Sequence, residues 1–239
     1  MNSIVLITTA TRPPEGVPFL KMTDSAVRYI SAKAAVFFWA AQRINKIVIA
    51  DATGMTLLSS DELTLLKQMN VQVEQIAYFQ DSELIKQKGK GYGEGEIIRF
   101  ALSNSVFLQQ EERFFKCTGK IYCRNFPELF KLIQRNDISN MFWRYMGDGS
   151  SMQPWSDIRF FYATRQFVEE HLLPAYLKSD DKTGAAEYYC QVVLNEKLIS
   201  GKTLRPLLSG FCGGTGEQYF DASLGALDSS FPCWFDKKS

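Results

Sequence analysis

The first hundred residues alternate between short apolar runs and longer stretches whose apolar residues recur at helical spacing. Residues 3–9 form a β-rich apolar run that ends in Thr11-Arg12-Pro13-Pro14-Glu15-Gly16, a turn-forming segment; together they predict a first buried parallel strand. Asp24 is placed to cap a helix from residue 25 to about 43, with Ala26, Ile30, Ala34, Phe37 and Phe38 at helical spacing. KIVIA at 46–50 predicts a second strand, ending at Asp51-Ala52-Thr53-Gly54. A helix over 60–69 follows, with Asp61 and Glu62 in its first turn, and then a third strand over 71–78. This order predicts an α/β layered domain around a mostly parallel central sheet. In such sheets ligands bind beyond the carboxyl ends of the strands, which puts Arg12, Asp51 and the Lys88/Lys90 loop on one edge.

The second half is patterned less regularly. A short helix is predicted over 127–134, an aromatic-rich strand over 141–145, and then a loop carrying Gly147, Gly149, Ser150, Ser151 and Pro154. A strand over 157–163 and a helix over 166–177 follow, then a polar stretch and a helical segment over 185–197 with Glu187 near its start. The tail from 209 holds the glycine cluster Gly210, Gly213, Gly214 and Gly216. No repeat, low-complexity tract or linker divides the chain, so one domain over 1–239 is expected.

With 239 residues, 46% of them hydrophobic, the chain can bury one sizeable core. A net charge of +1 gives no global drive towards nucleic acid or acidic lipid, so any basic function has to be local. Five cysteines without CxxC pairs and a single histidine leave little for a zinc site and predict reduced thiols in a cytosolic protein. The N-terminal residues lack a signal-peptide pattern, and no apolar run reaches the ~20 residues of a membrane span. A soluble cytoplasmic protein is expected.

The candidate chemistry is concentrated between Lys86 and Arg124. A lysine–glycine loop (Lys88, Lys90, Gly91, Gly93) precedes Glu94 and an amphipathic helix; a strand then ends in the second basic turn, Lys116-Cys117-Thr118-Gly119-Lys120. Two cationic, glycine-bearing turns around one helix suit a phosphorylated donor, through backbone N–H groups and full positive charge. Neither turn matches the P-loop or the dinucleotide fingerprint. Glu94 is placed either to complement the helix dipole or to contact a sugar, and Arg99 to pair with it. Asp157 and Glu187 are the candidate general bases, Asp157 slightly preferred because Arg159 beside it keeps it ionised. Either carboxylate could equally be half of a structural ion pair. Trp155 is offered as a sugar-stacking platform, and His171 is read as a non-catalytic helical residue.

The succession KGKGYGEGEIIRFALSNS, FFKCTGKIYCRNF, DIRFFYATRQFVEEHL, AAEYYCQVVL and SGFCGGTGEQY resembles bacterial surface-polysaccharide proteins from capsule, O-antigen and lipopolysaccharide gene clusters. These look like compact glycosyltransferases of GT-A type. The resemblance implies a Rossmann-like, GT-A-like fold with a donor-binding half over 1–125 and an acceptor-side half over 126–239. It implies transfer of a sugar from a nucleotide-diphosphate donor, or another diphosphate-activated donor, to a lipid-linked glycan. The acceptor's lipid would bring the enzyme to the inner membrane face; no nucleic-acid partner is expected. Where such proteins show K-x-T-G-R this chain has Lys120, which keeps the charge but loses the bidentate fork. Enzymes of this type normally carry Asp-x-Asp after a central strand to hold a divalent metal. Lys116 and Lys120 stand there instead, so a metal-independent, cofactor-free enzyme is expected. Asp180-Asp181-Lys182-Thr183-Gly184 resembles the loop of phosphoribosyltransferases, which makes phosphoribosyl diphosphate the alternative donor. A non-catalytic binding protein is the third reading.

Overall fold

Every residue of strand β1 (Ile4–Thr9) is buried, because the strand lies inside the sheet and is covered on both faces. The computed structural model describes residues 3–18, 20–145, 155–180, 185–211, 216, 218–220 and 230–237. After β1 come α1 (Ser25–Ala41), β2 (Lys46–Asp51), α2 (Ser60–Gln68), β3 (Gln72–Ala77), α3 (Ser82–Lys88), α4 (Lys90–Asn104) and α5 (Val106–Gln110). The chain continues with β4 (Arg113–Thr118), β5 (Ile121–Cys123), α6 (Phe126–Arg135), β6 (Ile138–Tyr145) and β7 (Trp155–Thr164). A helical run follows, α7 (Arg165–Phe167), a π-turn over Val168–Leu172 and α8 (Leu173–Lys178). It is succeeded by α9 (Ala186–Lys197), β8 (Ile199–Thr203), β9 (Leu208–Phe211), β10 (Gln218–Phe220) and β11 (Phe231–Lys237).

The expected α/β layering around a large central sheet is the architecture observed. Eight strands run in the order β3-β2-β1-β4-β7-β6-β11-β8, and β10-β9-β5 form a small second sheet. Pairing is parallel from β3 through β2 and β1 to β4, and antiparallel from β4 onward. Strand alternation sends Val5, Ile7, Ile49, Phe115 and Phe160 into a layer covered by α1, α2 and α6. It sends Ile4, Leu6, Val48, Phe114 and Phe161 into the opposite layer, covered by α4, α8 and α9.

Local signals start the helices where polar caps stand. Asp24 accepts from the backbone N–H groups of Ala26 and Val27, and Ser59 with Glu62 forms a reciprocal capping box. The inward face of α1 differs from the expected one: Ala32, Ala35, Val36 and Trp39 are buried, while Ile30 is 65% and Phe38 46% exposed. Alpha-helix α1 is apolar around most of its circumference, so periodicity could not choose the face. Small alanines let the helix lie close to the sheet, and Trp39 reaches the Ile121 carbonyl at 3.3 Å.

The lysine–glycine segment is not an extended loop. Lys88 ends α3 and Lys90 begins α4, with Gly89 at φ 91° as the single residue between them. Gly91 and Gly95 lie one turn apart and let α4 pack closely. A Cβ at Gly91 would stand 2.8 Å from Ala186 Cβ, and one at Gly95 2.6 Å from Tyr176 Cβ. The C-terminal strands were not read from the sequence, yet β11 inserts between β6 and β8.

Gly95→Ala should raise helix propensity yet lower stability, because overpacking costs about 1–3 kcal/mol against a propensity gain of at most about 1 kcal/mol. Urea unfolding measures the net change; a more stable Gly95→Ala protein would contradict the close α4–α8 packing.

Candidate functional site

Strand β1 has β2 on one side and β4 on the other, so the chain leaves β1 in one direction and later returns on its opposite flank. At such a switch point the two following connections diverge and leave a crevice at the carboxyl ends of the strands. A cavity of about 260 Å³ lies there. Thr8, Thr9 and Ala10 line it from the end of β1, and Thr118, Lys120 and Ile121 from the end of β4 and the turn beyond. Helix α4 contributes Lys90, Gly91, Gly93, Glu94 and Ile97. Arg159 on β7 and Glu187 on α9 close the far side, with Phe211 from β9. Pro13, Pro14, Val17 and Leu20 make an apolar end.

Beneath the cavity lies a charged cluster. Thr8 and Thr118 are register partners on β1 and β4, and with Lys116 they lie on the sheet face that α4 covers. Lys116 is fully buried; its ammonium donates to Glu94 Oε1 at 2.5 Å, to Thr118 Oγ1 at 3.1 Å and to the Ile158 carbonyl at 2.8 Å. Thr8 and Thr118 hydroxyls each donate to the same Glu94 oxygen at 2.9 Å. Burial pushes the Glu94 carboxyl up, but the charge and hydrogen bond of Lys116 and the two threonines outweigh it and hold it below the ordinary value. The Ile158 carbonyl is available because β7 bulges. Phe142 pairs with Phe161 and Trp143 with Asp157, leaving Ile158, Arg159 and Phe160 outside that ladder.

The proposed base residues are placed differently from one another. Glu187 lines the cavity, and its carboxyl is raised, mainly by burial; Lys90 opposes the shift and Glu94 and Asp157 add to it. Asp157 is buried and does not line the cavity. Arg159 Nε and Nη2 donate to its two oxygens at 2.8 and 2.7 Å, so it is half of an ion pair that fixes Arg159. Of the two candidate bases, Glu187 thus lines the cavity and Asp157 is held in an ion pair.

Lys90, Gly91, Gly93, Glu94, Thr118, Lys120 and Arg159 all line the cavity, whereas Arg12, Asp51, Lys88, Lys116 and Gly119 do not. Lys116 turns its charge on Glu94, so it orients a carboxylate rather than meeting a phosphate. Asp51 is a buried loop organiser, accepting from the backbone N–H groups of Thr11, Thr53 and Met55. Arg12 is exposed, its backbone N–H on Thr53 Oγ1 at 3.2 Å. Lys88 faces Asp180 at 3.9 Å. Gly119 donates its N–H to the Thr8 carbonyl at 2.7 Å, and a Cβ there would stand 2.7 Å from that oxygen. Glu94 lies beyond the first turn of α4 and is not a cap, and Arg99 pairs with Glu96 at 2.6 Å instead.

Sequence reasoning missed Arg28 and Gln80. Arg28 is buried, donates to the carbonyls of Ala10 and Met22 at 2.6 and 3.0 Å, and lines the cavity. Burial brings its pKa down to about 10, against the pull of Asp51. A basic residue one turn before Ala32 on the alanine face of α1 was the available signal. Gln80 follows β3 and donates to the Gly93 carbonyl at 2.5 Å. Trp155 stands edge-on to Tyr188 at 6.4 Å, away from the cavity. Asp148, Asp181, Lys182, Thr183, Gly184 and Cys212 lie outside the described residues. Among the described residues no three His, Cys, Asp or Glu side chains group as a metal site, and no helix is long and apolar enough to cross a membrane.

No protein-family model and no curated protein matches the chain. Among solved structures, one it is similar to is a glucose-1-phosphate thymidylyltransferase assignment from Bacillus anthracis, in complex with a sucrose. That likeness has 10% identity and a TM-score of 0.42, over 88% of this chain and 89% of that one. Another is a nucleoside-diphosphate-sugar pyrophosphorylase from Vibrio cholerae RC9, with 10% identity and a TM-score of 0.41, over 81% and 88%. Similarities this loose carry no functional weight.

Lys116→Met leaves Glu94 without its cation and should cost about 3–5 kcal/mol in urea unfolding, part of which Glu94→Gln in the same chain recovers. The two cavity carboxylates should also shape the pH profile in opposite senses. Folding lowers the Glu94 pKa, so its stabilisation is whole above the ordinary 4.5 and drains away as the pH falls through the folded value. Folding raises the Glu187 pKa, so its contribution is whole below 4.5 and is lost as the pH rises through the folded value. Thermal melts against pH should show Glu94→Gln destabilised at neutral pH and Glu187→Gln stabilised there.

Proposed function

We propose that this chain is a transferase of surface-polysaccharide biosynthesis that moves a sugar from a diphosphate-activated donor to a hydroxyl of a lipid-linked glycan. The observation that carries the reading is the cavity at the β1/β4 switch point, where Lys90, Lys120 and Arg159 meet a carboxylate, Glu187, whose proton affinity burial has raised. The diphosphate binds among the three cations. The acceptor oxygen attacks the anomeric carbon, the bond from that carbon to the diphosphate oxygen breaks, and the diphosphate leaves with the electron pair. Glu187 takes the proton that the acceptor hydroxyl loses. The leaving charge is met by Lys90, Lys120 and Arg159, in the role a divalent ion holds in related chemistry.

Glu94 supports the same reaction from below. Lys116, Thr8 and Thr118 fix one of its oxygens, and its side chain, about 20% exposed, is presented to the cavity where it accepts from a sugar hydroxyl. Residues 1–125 supply the cations of α4 and the β4 turn, and residues 126–239 supply Arg159 and Glu187, which suits a donor half and an acceptor half meeting at one crevice.

Isothermal titration against a panel of sugar nucleotides and phosphoribosyl diphosphate should give heat with a sugar nucleotide. Heat from phosphoribosyl diphosphate alone would favour the alternative donor, and heat from neither a non-catalytic role. Lys120→Ala and Arg159→Gln should weaken donor binding. Glu187→Gln should bind donor normally and lower kcat by about 10²–10⁴-fold. Because Glu187 acts ionised, turnover should fall on the acid side at a pH above 4.5, and a chelator should leave it unchanged.

A further inference from the structure

Helix α1 turns apolar side chains to solvent as well as to the sheet. Ala32, Ala35, Val36 and Trp39 are on its buried side. Opposite them Ala26, Val27, Ile30, Ala34, Phe38 and Ala41 are all exposed, Ile30 at 65%, Phe38 at 46% and Val27 at 42%. At 3.6 residues per turn these six fall within one arc of roughly 120°. Phe38 has one ring face on Tyr122, at 4.1 Å between centroids, and keeps the rest open. Lys33 stands at the margin of the arc, held by Glu62 of α2 at 2.8 Å. A helix that is apolar all round is ordinarily buried all round, so this face calls for a partner.

Charge indicates which partner. The helix contains no Asp or Glu, and residues 10–45 hold five Lys and Arg against two acids, a net of +3 where the whole chain has +1. Of these cations Arg12 and Lys21, before the helix, and Arg43, after it, are exposed. Apolar side chains on a helix bordered by cations suit the interface of an anionic bilayer, where the first enter the headgroup region and the second meet phosphates. A second copy of the chain fits less well. A face of ~25 Å by ~10 Å offers ~250 Å², against the ~800 Å² per partner of a stable interface.

We propose that the outer face of α1 seats the protein on a membrane surface with anionic headgroups. The inference rests on the reading above for what that membrane supplies, the lipid-linked acceptor. The same helix is tied to the switch-point cavity: Arg28 lines it and donates to the carbonyls of Ala10 and Met22. The segment between those two carbonyls furnishes Pro13, Pro14, Val17 and Leu20, the apolar end of the cavity. A membrane along α1 therefore lies next to the segment that forms that apolar end.

The test is co-sedimentation of the full chain, without donor or acceptor, with vesicles of phosphatidylglycerol and phosphatidylcholine or of phosphatidylcholine alone. The anionic vesicles should bind at least about tenfold more tightly, and less so as salt is raised. Ile30→Glu and Ala34→Glu, both at exposed positions, should each weaken that binding about tenfold or more, in chains whose fold is checked by circular dichroism. Val192→Glu, at an exposed apolar position of α9, should leave it unchanged. No binding to anionic vesicles, equal binding to phosphatidylcholine, or binding that Ile30→Glu and Ala34→Glu leave intact would overturn the proposal. So would a lipid-free dimer, seen by sedimentation velocity, that Ile30→Glu dissociates. Titration of the Ile30→Glu chain with sugar nucleotides separates the two readings. Heat with donor but no vesicle binding by the unaltered chain removes the membrane face alone, and vesicle binding without donor heat removes the transferase reading alone.

Discussion

A lysine ammonium sealed inside a sheet–helix interface has three protons and no water to receive them, and the strands around Lys116 are arranged to answer that need. Glu94 arrives from α4, Thr118 stands two residues along the same strand, and the β7 bulge turns the Ile158 carbonyl inward. Removing any one of these leaves a buried charge incompletely paired, which is far more costly than the pair is stabilising. The consequence reaches the surface: with Lys116 holding one oxygen of Glu94, that carboxylate stays ionised at the cavity floor and α4 is anchored over the ends of β1 and β4.

The crevice above inherits its character from this anchoring. Helix α4 lies close to α8 and α9 because Gly91 and Gly95 carry no side chains there, and closeness brings Lys90 towards Glu187. The Asp157–Arg159 chelate holds one cation in a single orientation at the cavity wall, and Arg28 ties the chain after β1 to the start of α1 through two backbone carbonyls. Preorganised charge of this kind needs no rearrangement when an anionic group arrives, which is why it contributes more than the same charges on mobile side chains.

Much of the site was legible in the residues, though not the division of labour within it. Of the cluster from Lys88 to Lys120 that stands out in the sequence, Lys90, Gly91, Gly93, Glu94, Thr118 and Lys120 line one cavity. Two lysines in one short stretch nevertheless took opposite roles: Lys120 lines the cavity, and Lys116 is buried beneath it. Strand parity separates Lys116 from Phe115 and Cys117, but only the helix lying above it decides whether that face meets solvent or a carboxylate. Glycine spacing was similarly ambiguous, because a residue without a Cβ permits close approach by a phosphate and by a neighbouring helix alike.

What the amino-acid order determined by itself was local: the cap at Asp24, the apolar runs of β1, β2 and β4, and the alternation that makes a layered α/β chain. These follow from backbone hydrogen bonding and side-chain period within a few residues. The tertiary structure alone decided which face of α1 turned inward, where β11 entered the sheet, and that Glu187 rather than Asp157 came to the cavity. Each of those outcomes depends on contacts between residues far apart in the chain, whose burial and charge pairing have no signature in any short window of sequence.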